Sequence, residues 1–293
     1  MNKKLILLVM SNLFFNVYAA EYHPLEIRKK VSIYSAKNKR DYQEDFFDHR
    51  TVDGGQLYAI YDGHRGTCAA QFLRHNFPTY FEAASGDNMR HKMAATCKKL
   101  NDDLTTHLQT KEKFEKTPSY GYCGSTAVIV FIIKDLAYFV HVGDSRALLE
   151  EQGKVGVATV DHKVSNSDER QRLKQAKVDD YIKVYKGCSR LKGLAVSRSF
   201  GDYALKNKLK EKRGSSGIIA EPDCTIQRLT EHHQFLVLAT DGLWDVMSNE
   251  DVVQLLNEKK EDDIDDITEL LVTTAISKGS RDNITVMLVD LLS

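Results

Sequence analysis

The stretch Thr126–Val142, TAVIVFIIKDLAYFVHV, decides the fold. Thr126 to Ile133 and Leu136 to Val142 are apolar and β-branched, and only Lys134-Asp135 separates them, so they predict a β-hairpin. A second strand pair is expected around Gln152-Gly153. Upstream, Leu57 to Tyr61 reads as a strand ending at Asp62. It is followed by a helix over Thr67 to Phe77 that puts Ala69, Phe72, Leu73 and Phe77 on one side. Ala94 to Leu108 predicts a second helix. The C-terminal third repeats the alternation, with a strand over Phe235 to Thr240 and a capping box of Ser248 and Asp251 opening a helix through Leu256. A last helix spans Ile264 to Ile276, its start favoured by the acidic run Glu261 to Asp266, and a last strand spans Ile284 to Val289. Antiparallel hairpins with helices outside them predict a layered sandwich of the α+β class.

A chain of 293 residues with 42% hydrophobic content can bury a sizeable core. Its 41 basic and 41 acidic residues balance, which argues against a general nucleic-acid binder, since phosphate-backbone binding needs a basic excess on one face. The one local basic run, Lys206 to Arg213, reads as a solvated loop, with a substrate contact as the alternative.

The N-terminus differs from the rest. Met1-Asn2-Lys3-Lys4 is a short basic start, Leu5 to Ala20 is apolar, and Val17-Tyr18-Ala19 suits a signal peptidase. The expected division is a cleavable signal over 1–19 and a catalytic domain over 20–293. Ser11, Asn12 and Asn16 interrupt the apolar run, which is short for a membrane span. A secreted, secretory-route or periplasmic protein is therefore expected, with no stable span after cleavage. An uncleaved anchor or an ordinary buried segment in a cytoplasmic protein are the alternatives. The five cysteines, Cys68, Cys97, Cys123, Cys188 and Cys224, are odd in number and form no Cys-x-x-Cys pair, so they support neither a zinc ribbon nor a fully paired framework.

Four acidic clusters lie at the ends of apolar runs: Arg40-Asp41-Tyr42-Gln43-Glu44-Asp45, Asp62-Gly63-His64, Asp241-Gly242-Leu243-Trp244-Asp245 and Arg281-Asp282-Asn283. Crowded carboxylates repel unless something neutralises them, and oxygen ligands suit hard divalent cations. The pattern predicts a metal-dependent hydrolase.

The order of motifs resembles the metal-dependent serine/threonine protein phosphatases of the PP2C (PPM) type. The matching pieces are Arg40 to Asp45, Tyr61 to His64, Gly124 to Ala127, Val142 to Arg146, Asp161-His162-Lys163, Leu194 to Asp202, Glu221-Pro222-Asp223, Ala239 to Asp245 and Ser280 to Thr285. The resemblance runs from about Ser32 to Leu291. It implies an α-β-β-α sandwich, with two central antiparallel sheets flanked by helices and a flap at about 164–192.

It also implies hydrolysis of phosphoserine and phosphothreonine in proteins by a monomeric enzyme carrying two Mn²⁺ or Mg²⁺ ions, which share a bridging aspartate and a bridging water. Asp62 matches the bridge and the Gly63 carbonyl a ligand of the first metal. Asp241 and Asp282 match ligands of the second, while Glu44 and Asp45 match residues holding metal-bound waters. Asp144, with Asp241, matches a weaker third site. Arg40 matches the residue that grips the substrate phosphate, and His64 the general acid.

Bland readings cover the other matches. Gly124-Ser125-Thr126 begins a core strand, Ser197 and Arg198 build the surroundings of the site, and Trp244 packs in the core. Two positions depart from the family pattern. Arg65 stands where the first glycine after Asp-Gly-His is usual; it is either a tolerated substitution, strained if φ is positive, or a cation reaching the substrate phosphate. Val164 replaces a frequent proline, which is expected only to loosen a turn. Cys68 and Arg74 have Cys-x5-Arg spacing, but the intervening residues are apolar and lack a phosphate-cradling loop. The rival of a different class is a pseudophosphatase, a binding module on the same fold, against which the retention of Arg40, Asp62, His64, Asp241 and Asp282 argues.

Overall fold

A computed structural model describes residues 30–292; the signal segment expected over 1–19 lies outside the described residues. Two antiparallel sheets stack face to face. The first orders strands Lys30–Ala36, Ile284–Asp290, Phe235–Ala239, Arg146–Glu151 and Lys154–Ala158. In the second, Phe200–Gly201, Gly124–Ser125, Gly55–His64, Ala127–Ile133, Leu136–Val142 and Asp223–Arg228 follow one another, and Asp45–Val52 also pairs with Gly55–His64.

Period-two alternation explains the layers. In Gly55–His64, Leu57, Ala59 and Tyr61 face the helices Cys68–Ala83 and Met89–Glu115, whereas Tyr58 and Ile60 point into the space between the sheets. In Ile284–Asp290, Ile284, Val286 and Leu288 face the helices Asn249–Lys259 and Ile264–Ser277, and Met287 and Val289 point inward. Fully two-sided burial accounts for the continuous apolar runs of the sequence. The architecture is the expected α-β-β-α sandwich.

The predicted hairpin forms over Ala127–Ile133 and Leu136–Val142, with Lys134 at φ +55°. The capping box is present, the Ser248 hydroxyl accepting from the Asp251 N–H and the Asp251 carboxylate from the Ser248 N–H. Asp263, within the acidic run, caps the last helix. Both N-terminal helices run longer than expected, Cys68–Ala83 and Met89–Glu115, and the added turns bury further core residues, Phe81 in the first and Met93 in the second. The basic run is not a loop. It belongs to the helix Tyr203–Arg213, whose Leu205 and Leu209 are buried.

The flap region has a core of its own, in which Val164, Leu173, Val178 and Leu191 meet Leu205, Leu209 and Ile218. Val164 does not loosen its turn. It is fully buried, and its N–H donates to the Ala195 carbonyl at 2.8 Å, a bond that proline would forfeit.

Candidate active site

Every predicted carboxylate lies where a strand begins or ends at one edge of the sandwich. Asp45 starts Asp45–Val52 and pairs in register with Asp62, near the end of Gly55–His64. Asp241 follows Phe235–Ala239, and Asp282 precedes Ile284–Asp290, the antiparallel neighbour of that strand. Asp144 sits in the turn between Leu136–Val142 and Arg146–Glu151. Antiparallel pairing thus brings residues distant in sequence to one cleft of about 250 Å³. Arg40, Glu44, Asp62, Gly63, His64, Asp144, Asp241 and Asp282 all line it. Asp45 lies behind this wall, buried.

Asp45 joins the two sheets. Its Oδ2 accepts from the hydroxyls of Thr240 at 3.2 Å and Thr285 at 2.8 Å, while its buried Oδ1 has no partner. Gly63 passes so close to the Glu44 backbone that an added Cβ would fall 2.6 Å from the Glu44 carbonyl oxygen, which excludes any larger residue. The Glu44 N–H donates to Asn283 Oδ1, and the Asn283 amide donates to the carbonyls of Lys37 and Tyr42. This clamp aligns the loop bearing Arg40 and Glu44 with the Asp282 turn.

The electrostatics are those of unneutralised crowding. Burial, reinforced by Asp45, Asp241, Asp144 and Asp282, pushes Asp62 well above the ordinary carboxylate range. Burial and the neighbouring Asp144, Asp245 and Asp282 do the same to Asp241. Burial lifts Asp45 to about 7 and Asp144 to about 6. An assembly of oxygen donors whose charges oppose one another, with a buried orphan oxygen at Asp45, fits hard divalent cations.

Cations of the protein itself flank the cluster. The Arg40 guanidinium donates to Asp282 Oδ2. The Lys163 ammonium pairs with Asp245 at 2.5 Å and with Asp161 at 3.6 Å, and Arg146 grips Asp161 with two nitrogens while lying 4.9 Å from the Trp244 ring centroid. Trp244 is buried and donates to the Ala239 carbonyl, as a core residue should.

His64 has a partner that its motif does not announce. Its Nε2 lies 2.9 Å from Oδ2 of Asp202, a wholly buried carboxylate that also accepts from the Ser199 hydroxyl at 2.7 Å. Burial alone would lower the His64 pKa, but the Asp202 charge outweighs it and the net shift is upward. Gly124 makes the contact possible, because a Cβ there would fall 2.4 Å from His64 Nε2 and 2.3 Å from Asp202 Oδ2. Asp202 lies 138 residues from His64. Only the strand pairing of Phe200–Gly201 with Gly124–Ser125 joins them, so no local pattern could have revealed it.

Another set of groups gathers behind Asp144. His141, His162 and Asp223 each offer a ligand atom within 4.8 Å of the others. The two imidazoles stack in parallel, 4.3 Å between centroids and 3° between planes, so no single point lies in both ring planes as shared ligation would need. His162 accepts the Gly143 N–H at Nδ1 and meets Asp223 at Nε2, and thereby fixes the turn that carries Asp144. Ser197 and Arg198 are both tied to Glu169, the Ser197 hydroxyl and the Arg198 guanidinium each donating to its carboxylate. Thr126 bonds the Ser145 hydroxyl within the core. Arg65 takes φ +58°, the conformation that glycine adopts freely. The five cysteines are free. No helix among the described residues is long and apolar enough to cross a membrane.

Residues 37–284 match the family model described as protein phosphatase 2C. Probable protein phosphatase 2C 52 of Oryza sativa subsp. japonica is 36% identical over 262 residues, covering 87% of this chain and 49% of the relative. Probable protein phosphatase 2C 69 of Arabidopsis thaliana is 34% identical over 265 residues, covering 88% and 69%. The chain thus spans about half the length of the first of these relatives. Among solved structures, serine-threonine phosphatase 2C from Toxoplasma gondii superposes with a TM-score of 0.72 at 22% identity, over 91% of this chain and 96% of that one. A C. elegans sex determining protein gives 0.74 at 23% identity, over 89% and 64%. At those identities the structures speak for the fold, and the sequence match carries the lineage: this chain belongs to the protein phosphatase 2C family.

Proposed function

We propose that the protein hydrolyses phosphoserine and phosphothreonine in proteins with two Mn²⁺ or Mg²⁺ ions. The observation that carries this reading is the convergence of Asp62, Asp144, Asp241 and Asp282 on one cleft with Arg40 and His64. Asp62 and the Gly63 carbonyl would hold the first ion, Asp241 and Asp282 the second, and Asp144 with Asp241 a third. Glu44 and Asp45 would hold the waters around them. Such ions ready a water for attack near neutral pH and draw charge from the phosphoryl oxygens.

The chain's own residues do the rest. The planar fork of Arg40 can hold two phosphoryl oxygens at once and exchange them for Asp282. Asp202 engages Nε2 of His64, which leaves Nδ1 as the ring atom that gives a proton to the departing serine or threonine oxygen.

Phosphate release from a phosphothreonine peptide by protein lacking residues 1–19, with Mn²⁺, with Mg²⁺ and with EDTA, tests the reading. Metal-dependent release that is lost in Asp282→Ala is the expected result. A folded protein silent with every metal would overturn it in favour of a binding module on the same fold. The basic start and apolar run of residues 1–20 support passage through a secretory route. Finding Met1 intact on a purely cytosolic pool would defeat that part.

A further inference from the structure

Arg65 is the residue that the proposed chemistry leaves unused. It lines the same cleft as Asp62 and His64. Its backbone is held at φ +58°, a conformation that glycine adopts freely and a residue with a side chain does not. Such a conformation persists only where the surroundings enforce it, and it marks positions worth a functional question.

The side chain is aimed rather than loose. Its guanidinium carbon lies 5.5 Å from the Tyr122 ring centroid, and Nη2 comes within 3.3 Å of where a Cβ on Gly193 would stand. Tyr122 is steadied in turn by the Lys208 ammonium, 4.9 Å from the same ring. Arg190 donates Nη1 to the carbonyl of the same Gly193 at 3.1 Å and lines the same cleft. Neither Arg65 nor Arg190 forms an ion pair with a carboxylate among the described residues, whereas Arg40, Arg146, Arg172 and Arg198 all do.

Beside the acidic cluster, the lining of the cleft includes Arg65 and Arg190, both of which reach Gly193. With Arg40 assigned to the phosphate to be cleaved, the guanidinium fork of Arg65 is available to a second anion.

We propose that Arg65, with Arg190 beside it, forms a subsite for an anionic group next to the phosphorylated residue, so that the enzyme selects phosphosites flanked by a carboxylate or a second phosphate. This rests on the phosphatase reading above. Both anions present paired oxygens to a guanidinium, and hydrogen bonding of that kind is among the strongest in proteins.

The test compares kcat/KM for three phosphothreonine peptides that differ only in the flanking residue: alanine, glutamate, or a non-hydrolysable phosphonate. The expected result is about tenfold preference for the glutamate or phosphonate peptide, weakening as salt is added. The larger of the two values tells which anion is the natural one. Arg65→Gly, which suits the backbone, brings the three values to within about twofold, and Arg65→Lys restores part of the preference.

Equal kcat/KM for all three peptides in the wild type, or a preference that survives in Arg65→Gly, overturns the proposal. Failure to hydrolyse even the alanine peptide would strike the phosphatase reading instead. Fluorescence anisotropy of the labelled glutamate peptide then decides the subsite on its own, since weaker binding to Arg65→Gly supports it and equal binding refutes it.

Discussion

Replacing Asp202 with Asn isolates what a buried carboxylate does for His64. The two side chains have nearly the same shape, so the Ser199 contact at 2.7 Å and the surrounding packing survive while the charge is lost. Burial pushes the Asp202 carboxyl up, yet His64 and Lys206 hold it below its ordinary range, so the native pair is charged on the Asp202 side. A hydrogen bond to a charged group is worth about 1.5–3 kcal/mol. Each 1.36 kcal/mol is tenfold, so losing that contact should cost about 10- to 150-fold in kcat wherever His64 must deliver a proton. The assay is steady-state turnover of a phosphothreonine peptide beside an activated aryl phosphate, whose leaving group needs little protonation. The peptide rate should take the whole loss, and the aryl phosphate rate should fall less than about threefold. Gly124→Ala, whose Cβ would wedge between His64 and Asp202, should show the same split. Equal losses on both substrates, or none on the peptide, would refute the role given to Asp202 and to Nδ1 of His64.

Three further outcomes follow from the same geometry. Asp241→Asn removes a like charge from beside Asp144 and Asp282, so in EDTA its thermal midpoint should rise above wild type. It should also lose the stabilisation of about 2.7 kcal/mol that metal gives at a hundredfold excess over Kd; an unchanged response to Mn²⁺ would remove Asp241 from the ligand set. Val164→Pro should destabilise the flap by about 1–3 kcal/mol in urea melts, and a neutral result would contradict the Ala195 bond. Burial raises Glu169, but Arg172, Arg198 and Ser197 outweigh it and hold the folded pKa at about 2 against an ordinary 4.5. Its contribution, about 3 kcal/mol at most, is therefore present above pH 4.5 and lost as pH falls through 2. Glu169→Gln should flatten that part of the stability curve, and an unaltered acid limb would refute the assignment.

Much of this molecule is legible in one dimension. The hairpin over Thr126–Val142, the capping box at Ser248 and the strand-ending aspartates are local facts, set by alternation, turn chemistry and helix-end hydrogen bonding over a few residues. The carboxylates that line the cleft belong to this set because each sits beside its own apolar run. Helix ends were less legible, since the added turns of Met89–Glu115 are held by tertiary contacts such as the buried Met93, the Lys92–Asp53 pair and the Tyr120 hydroxyl on Glu115.

What the tertiary structure alone decided are the pairs whose members have no sequence relation. Asp202 meets His64 through the register of two-residue strands, and His162 reaches the Asp144 turn by stacking on His141. Val164 acquires a hydrogen bond and a core that its proline-like position does not suggest. Arg65 could be recognised as a departure from a family pattern. Its aim between Tyr122 and Gly193, and its want of a carboxylate partner among the described residues, are properties of packed space. Local propensity acts over a turn of chain, whereas charge and shape act through distance, and in this protein the supporting residues of the site are placed by the second.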